Sequence, residues 1–232
     1  MVEDQILGVF SRVSTWTGPA AARRLQHIIG KKLKRDMRVL DIGTGPGTIP
    51  LNLKKRYPDI HFTGIDIATG MIREATSHAA RTGLSLSLCV GDGESLPFGS
   101  GTIDGIISLF AMHHMDHPER LLKEIDRVLK ADGVLLIIDF RRDMSGWLFK
   151  LINIIWQTIF LFSAARKGFA DSVLSAWRQE ELQTIIEKNN MNRFKVRTNR
   201  LELWVTNKTS NQPSRRPAAC LIKGLTLKLD KT

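Results

Sequence analysis

Hydrophobic residues recur in short blocks along the first two thirds of the chain, with helix-like spacing between the blocks. In the run V-L-L-I-I-D-F at 134–140, apolar residues occupy consecutive positions and would therefore lie on both faces of a strand. This is typical of a strand buried on both faces. Five strands are predicted, at 38–42, 60–66, 85–90, 103–110 and 133–140. Three helices are predicted between them, at 48–57, 69–82 and 117–130. This alternation favours right-handed βαβ units and a doubly wound, mostly parallel sheet.

The pattern changes at both ends of this region. Helical periodicity precedes the first strand at 2–13 and 19–33, with Gly18 and Pro19 as the expected break between two helices. Near the other end, a helix with an acidic start is expected at 177–188. A closing hairpin follows it, with strands at 193–198 and 201–207. We therefore expect one α/β domain over 1–207, with its main half at 37–140.

A strongly apolar segment, W-L-F-K-L-I-N-I-I-W-Q-T-I-F-L-F-S-A-A, occupies 147–165. Lys150, Asn153 and Gln157 form one polar stripe at helical spacing, which counts against a transmembrane span. The segment falls in a helical insertion over 143–176, and a helix covering the substrate or forming a dimer is favoured. A helix lying on a membrane surface is the second interpretation, and a span is the third.

Composition and charge narrow the class of protein. A hydrophobic fraction of 43% over 232 residues is enough for a soluble core. Two cysteines, Cys89 and Cys220, are too few for a disulfide framework, and the first residues lack the pattern of a secretory signal, so a reducing cytoplasm is expected. Of the net charge of +11, the extension at 208–232 holds +5, from six basic residues and one aspartate. The domain itself is only mildly basic, which disfavours nucleic acid as a partner.

The first predicted strand runs into a glycine turn, D-I-G-T-G-P-G-T, that starts at Asp41. Glycines at this position let backbone N–H groups approach a ligand, and the following helix offers its positive end. The dinucleotide fingerprint G-x-G-x-x-G/A is not met, because Thr48 stands where its third small residue belongs. An acidic residue before the turn suits a ligand with a cationic end better than a pyrophosphate. The candidate residues of this turn are Asp41, Gly43, Thr44, Gly45 and Gly47.

Two further acidic groups end the second and third predicted strands. Asp66, in G-I-D-I, is suited to both hydroxyls of a ribose. Asp92 and Glu94, in G-D-G-E-S-L-P-F, are suited to an exocyclic amine. Three acidic strand ends without a basic residue in the glycine turn indicate an adenosine that carries positive charge.

Taken in order, D-I-G-T-G-P-G, G-I-D-I, G-D-G-E-S-L-P-F, I-D-G-I-I-S-L-F-A-M-H-H-M and E-I-D-R-V-L-K-A-D-G-V-L-L-I-I-D-F resemble a class I S-adenosylmethionine-dependent methyltransferase. More narrowly, they resemble the group of ubiquinone/menaquinone C-methylases and small-molecule methyltransferases. The resemblance implies a Rossmann-like sheet of seven strands with the last one antiparallel, a helical N-terminal cover, and a helical insertion before the last strand pair.

The resemblance also implies S-adenosyl-L-methionine as the cofactor and a place for each candidate residue. The glycine turn would face the methionine portion, Asp66 the ribose, and Asp92 with Gly93 the adenine. Ile67 and Met71 would flank the adenine ring, and Ser108 with Leu109 would line the floor near the sulfonium.

Methyl transfer to oxygen or carbon also requires removal of a proton from the acceptor. His113 and His114, in A-M-H-H-M-D-H-P, are the candidate bases, and Asp139 at the end of the fifth strand is placed to orient one of them. The alternative is that the histidines pack or cap the next helix. A metal site built on them with His117 is disfavoured, because adjacent histidines rarely point the same way.

These residues predict an enzyme that methylates a small apolar or amphiphilic acceptor on oxygen or carbon. The alternatives left open are an RNA, tRNA or protein methyltransferase and a non-catalytic cofactor-binding protein. The sequence lacks the Asn/Asp-Pro-Pro-aromatic signature of exocyclic-amine methylases. Peripheral membrane contact through 147–165 and a homodimer are both compatible with the pattern.

Overall fold

The structure, a computed structural model, describes residues 2–161 and 164–207, so the predicted extension at 208–232 lies outside the described residues. Within that part of the chain seven strands form one sheet: β1 (Arg38–Ile42), β2 (His61–Asp66), β3 (Ser87–Val90), β4 (Ile103–Leu109), β5 (Leu129–Phe140), β6 (Phe194–Thr198) and β7 (Glu202–Asn207). The helices are α1 (Val2–Ile29), α2 (Thr48–Arg56), α3 (Thr69–Thr82), α4 (Pro118–Val128), α5 (Gly146–Ile159), α6 (Gly168–Ser175) and α7 (Gln179–Lys188).

The strand order is β3-β2-β1-β4-β5-β7-β6, and β7 runs antiparallel to both of its neighbours. This confirms the predicted doubly wound sheet with an antiparallel last strand. The direction of the winding reverses between β1 and β4, which lie side by side in parallel. In open α/β sheets, ligands bind at the carboxyl ends of the strands next to such a reversal.

Two apolar layers bury the two faces of the sheet. On one face, α1 and α2 cover β1, β4 and β5, with Leu25, Leu53 and Leu136 fully buried between them. On the other face, α4 and α7 pack on the same strands through residues such as Leu121 and Leu182. Because each central strand is covered twice, its run is apolar on both faces.

The prediction of two helices before β1 is wrong, since α1 continues through Gly18 and Pro19 to Ile29. The glycine has a packing role instead: a Cβ at this position would lie 2.2 Å from Cγ2 of Thr48, the first residue of α2. Gly18 therefore permits the close crossing of α1 and α2. Pro19 removes only one helical hydrogen bond, which the packed helix tolerates.

The apolar segment at 147–165 is also not one continuous helix. α5 ends at Ile159, a 3₁₀ turn covers Ala164–Lys167, and α6 follows directly. Across the described ranges, no helix combines the length and apolar character needed to cross a membrane. The segment belongs to a helical region that continues into α6, and α6 contacts the turn after β4 at the carboxyl edge of the sheet.

Candidate active site

The turn between β1 and α2 holds three glycines in the left-handed region, with φ of 70° at Gly43, 53° at Gly45 and 72° at Gly47. A Cβ on Gly43 would lie 2.2 Å from Cβ of Ala111, and one on Gly47 would lie 3.0 Å from Cβ of Ala75. A Cβ on Gly45 would meet no atom of the described residues within 4 Å. The outer two glycines therefore serve close packing, whereas the middle one faces open space.

Asp41 and Thr44 lie buried behind this turn. The hydroxyl of Thr44 donates to Oδ2 of Asp41 over 2.7 Å. Burial raises the pKa of the Asp41 carboxyl to about 7, with a smaller contribution from the charge of Asp66, while the hydrogen bond from Thr44 opposes the rise. Asp41 therefore faces the inside of the turn, and its ionisation near neutral pH is finely balanced.

Asp66 joins the ends of β1 and β2. Its Oδ2 accepts a hydrogen bond from the backbone N–H of Gly45 at 2.8 Å, and its Oδ1 accepts one from the N–H of Ala68 at 2.9 Å. The neighbouring Ile67 is 72% exposed, which is unusual for an isoleucine, and Met71 is half-buried on the first turn of α3. A carboxylate and an exposed apolar side chain thus lie together beside the open face of Gly45.

Asp92 and Glu94, the two acidic residues after β3, make different contacts. Asp92 is exposed, and its Oδ1 accepts a hydrogen bond from the N–H of Glu94 at 2.8 Å. Glu94 instead accepts from the N–H of His117 at 2.8 Å, and it thereby fixes the start of α4. Gly93 is buried, and a Cβ there would lie 2.9 Å from Cγ2 of Ile42. Of the two predicted acidic groups, Asp92 is the one that faces solvent beside Asp66.

Ser108 lies at the reversal between β4 and β1. It is fully buried, and its hydroxyl donates to the carbonyl of Ile42 over 2.8 Å. This bond ties the end of β4 to the end of β1, so the hydroxyl is already used within the protein. Leu109, the next residue, is half-buried.

His113 and Asp139 form a buried pair at the ends of β4 and β5. Nδ1 of His113 lies 2.7 Å from Oδ1 of Asp139, and the backbone N–H of His113 donates to Oδ2 at 2.8 Å. Oδ1 also accepts from the N–H of Phe140 at 2.7 Å. The other ring nitrogen, Nε2, is buried and has no hydrogen-bond partner among the described residues. A carboxylate that accepts Nδ1–H leaves Nε2 as the basic nitrogen.

His114 differs from its neighbour in both position and charge. Its side chain is largely exposed, although the ring lies 4.0 Å from that of His113, centroid to centroid. Partial burial and the neighbouring His113 lower the pKa of His114 to about 4, while Asp139 opposes the change. The imidazole of His114 is therefore neutral at pH 7. The structure brings His113 and Asp139 together and leaves His114 at the rim.

Aromatic side chains pack next to His113, a feature that the sequence motifs did not predict. Phe140 lies 5.7 Å from the His113 ring, 4.7 Å from Phe110 and 5.5 Å from Phe169 of α6, and Phe149 and Trp156 of α5 lie within 6.2 Å of Phe169. We call these five residues, Phe110, Phe140, Phe149, Trp156 and Phe169, the aromatic cluster. Phe110 has a φ of 52°, which is uncommon for a bulky residue. The sequence signal was the recurrence of aromatic residues at strand ends and in the insertion.

Comparison with known proteins agrees with this geometry. A family model described as a methyltransferase domain matches residues 39–133. A demethylmenaquinone methyltransferase from Thermus thermophilus is 30% identical over 129 residues, which is 56% of this chain and 59% of the relative. A malonyl-[acyl-carrier protein] O-methyltransferase from Geobacter sulfurreducens is 36% identical over 97 residues, which is 42% of this chain and 36% of the relative. The chain thus spans less than two thirds of either relative.

A solved structure shows the same fold over most of the chain. A candidate S-adenosyl-L-methionine-dependent methyltransferase from Methanococcus maripaludis superposes with a TM-score of 0.64 at 17% identity, over 90% of this chain and 94% of that one. At this identity the likeness concerns the fold alone. It extends past the matched domain into the insertion and the last strand pair.

Proposed function

We propose that this chain, which belongs to the class I S-adenosylmethionine-dependent methyltransferases, methylates a small apolar or amphiphilic acceptor on oxygen or carbon. The observation that carries the proposal is the edge of the sheet around Gly45. There the carboxylates of Asp66 and Asp92 lie beside a glycine turn that contains no lysine or arginine between residues 43 and 48. Such an edge is complementary to a cationic nucleoside and repels a phosphate.

The residues of this edge fit S-adenosyl-L-methionine. The open face of Gly45 leaves room for a ligand that a side chain would fill, and the exposed Ile67 offers an apolar surface for a base. In the proposal, the turn at Gly43–Gly47 with Asp41 and Thr44 holds the methionine portion, Asp66 holds the ribose, and Asp92 with Gly93 contacts the adenine. Ile67 and Met71 flank the base, and Ser108 with Leu109 borders the sulfonium. The cofactor supplies a methyl group that is already activated for attack.

The protein therefore needs to position the acceptor and to remove its proton. We assign the base to Nε2 of His113, because Asp139 fixes the tautomer that leaves this nitrogen unprotonated. The proton passes from the acceptor to Nε2, and the Asp139 carboxylate stabilises the resulting imidazolium. His114 is the weaker candidate, since its lowered pKa makes its conjugate acid too strong for a good base at neutral pH.

Access to Nε2 requires a movement in the insertion. The atom is buried in the structure, and α6 packs against the turn that carries His113. We therefore propose that the insertion opens to admit the acceptor and then covers it, which would also exclude water from the reaction.

The class of the acceptor is proposed from the aromatic cluster. Aromatic rings packed beside His113 favour contact with an apolar or aromatic group over a sugar or a nucleic acid base pair. Of the relatives above, one is named for a menaquinone precursor and the other for an acyl group on a carrier protein. The first name agrees with an acceptor that has an apolar part, and the second with methyl transfer to oxygen.

The setting of the reaction is part of the proposal. We infer a cytoplasmic protein that contacts a membrane surface through 147–165, since an amphiphilic acceptor would reside there. A homodimer through the same segment is the competing arrangement.

The proposal is tested in two steps on the full chain. Calorimetric titration with S-adenosylhomocysteine should show one site, and NAD should show none. A panel of hydroquinones, phenols and acyl thioesters should then be incubated with the cofactor while S-adenosylhomocysteine release is measured. Release only with apolar acceptors supports the proposal. A chain that does not bind S-adenosylhomocysteine, or that methylates tRNA instead, contradicts it.

A further inference from the structure

α5 has an apolar face that the described residues of the chain leave exposed. Five residues at helical spacing form this face, which we call the α5 face: Trp147, Leu151, Ile154, Ile155 and Ile159. Trp147 is 65% exposed and Ile154 is 64% exposed. Fourteen helical residues extend over about 21 Å, so the α5 face is a long stripe and not an isolated side chain.

The helix does not need this face in order to fold onto the domain. Its other side already packs against α6 and the end of β5 through Phe149, Ile152 and Trp156, and Leu148 is buried as well. The polar residues Asn153 and Gln157 are half-buried at the boundary between the two sides. An apolar stripe of this kind on a soluble domain marks a surface for interaction.

Exposed cations lie on α5 and in the 3₁₀ turn that follows it. Lys150 is exposed on the helix, and Arg166 and Lys167 are exposed in the 3₁₀ turn that follows it. No Asp or Glu occurs between residues 144 and 170, and the first acidic residue after them is Asp171. A second copy docked on this face would therefore bring few anions to these three cations, whereas an anionic lipid surface would satisfy all of them.

We propose that the α5 face docks on an anionic lipid bilayer, with the helix lying in the interfacial layer and Lys150, Arg166 and Lys167 at the lipid phosphates. The inference rests on the proposed function, since it assigns the place from which the acceptor arrives. Trp147 sits at the start of the helix, where its amphipathic ring suits the headgroup region.

The docked helix would connect the bilayer to the candidate base. Phe149 and Trp156 belong to the aromatic cluster and lie on the side of α5 that faces Phe169. The cluster continues through Phe140 to the ring of His113. An amphiphilic acceptor could thus bring its nucleophilic end from the lipid surface to Nε2, while its apolar part lies against the aromatic cluster.

The test measures sedimentation of the full chain with vesicles of phosphatidylcholine alone and of equimolar phosphatidylcholine and phosphatidylglycerol. We expect strong binding to the second composition only. The double variant Trp147→Gln/Ile154→Gln should bind at least about tenfold more weakly, because two apolar side chains no longer enter the interface. Lys150→Glu changes the charge by two units, and binding should weaken about fivefold for each unit.

Lys195→Glu is the matched control, since it makes the same charge change at an exposed position of β6 and should bind like the unchanged chain. The basic extension is present in every variant. Vesicle binding that is unchanged in both the Trp147→Gln/Ile154→Gln variant and the Lys150→Glu variant therefore overturns the proposal. A concentration-dependent dimer that the double variant dissociates, without any vesicle binding, overturns it in favour of a second copy. Calorimetry with S-adenosylhomocysteine separates the two proposals: normal cofactor binding without vesicle binding refutes the docking alone.

Discussion

Both carboxylate oxygens of Asp139 contact His113. Oδ1 lies 2.7 Å from Nδ1 of the ring, and Oδ2 accepts the backbone N–H of the same histidine at 2.8 Å. Asp139 therefore determines both the position and the tautomer of the imidazole. The pair joins the turn after β4 to the end of β5, so it holds the turn together whether or not it takes part in catalysis. Loss of stability in a variant reports on the structural role of the pair, and loss of kcat reports on its role in catalysis.

Substitution of His113 by glutamine should lower kcat by a factor on the order of 10²–10⁴, the usual range for loss of a general base. His114→Gln serves as the comparison, and its effect should stay below about tenfold, because its exposed ring is a poor base at neutral pH. The measurement is S-adenosylhomocysteine release at saturating acceptor. Calorimetric affinity for S-adenosylhomocysteine should be unchanged in both variants. Equal losses of kcat in the two would contradict the assignment.

Asp139→Asn tests the orienting role. The amide keeps the shape of the carboxylate but no longer favours the tautomer with a proton on Nδ1, so kcat should fall by on the order of 10²–10⁴. The free energy of unfolding should fall by only about 1–3 kcal/mol, the range for a perturbed buried hydrogen bond. Urea denaturation and steady-state kinetics on the same preparation give both values. A variant that loses stability but retains kcat would show that the pair is only an anchor for the turn.

Gly45 and Gly101 form a matched pair for testing the cofactor edge. Both have left-handed φ, 53° and 62°, and in the part of the chain that the structure describes no atom lies within 4 Å of a Cβ built on either. Alanine at either position should cost about 1–2 kcal/mol of stability from backbone strain alone. Only Gly45→Ala should weaken S-adenosylhomocysteine binding, roughly 10- to 100-fold, because its methyl group enters the proposed ligand space. Similar affinities for the two variants would place the cofactor elsewhere.

Several elements were predictable because their signals are local. β1 at 38–42 and α3 at 69–82 have the bounds that periodicity predicts, and Gly83 ends α3 in a left-handed conformation. The carboxylates Asp66, Asp92 and Asp139 were also identifiable, because parallel strands bring their carboxyl ends to one edge. The hairpin of β6 and β7 follows from its turn residues in the same way.

Other features depend on contacts between distant parts of the chain. Gly18 resembles a helix breaker in the sequence, but its position against Thr48 is set by the crossing of two helices. The burial of His113 beside an exposed His114 likewise results from the packing of α6 on their turn. The periodicity of α5 indicates apolar sides, yet only tertiary packing decides which one stays exposed.

Arg24 anchors the N-terminal helix to the sheet, and its removal should be strongly destabilising. Its guanidinium forms a bidentate salt bridge with Glu202 of β7, and it lies 5.1 Å from the ring centre of Trp204. Burial alone would raise the pKa of Glu202, but hydrogen bonds and charge from Arg24, with help from Asn199 and Trp204, lower it below its usual value. Arg24→Met leaves a buried carboxylate unpaired and should cost about 3–5 kcal/mol.

The double variant Arg24→Met/Glu202→Leu should recover much of that loss, since it removes the unpaired charge. Because the folded pKa of Glu202 is depressed, its contribution to stability is present above the unfolded value of about 4.3 and is lost as pH falls through the folded value. Urea denaturation of the three proteins at pH 7 and at about pH 3, below the unfolded value, tests both points. Equal stability of Arg24→Met and the unchanged chain at pH 7 would contradict them.

Asp41 should make the stability of the cofactor-free protein fall as pH rises. Its pKa is about 7 in the folded chain, against 3.8 as the ordinary value, mainly because of burial. Between these two values the folded state holds a proton that the unfolded state has released, so the free energy of unfolding decreases by about 1.4 kcal/mol per pH unit. The whole window amounts to roughly 4 kcal/mol and ends near pH 7.

Asp41→Asn, which can still accept the hydroxyl of Thr44, should lack this slope, so the variant should gain stability relative to the unchanged chain between pH 4 and pH 7. Thr44→Val should extend the window to higher pH, because the hydrogen bond that lowers the pKa is gone. Thermal or urea unfolding across this range, compared between the three proteins, gives the difference directly, and parallel curves for Asp41→Asn and the unchanged chain would show that Asp41 is ionised throughout.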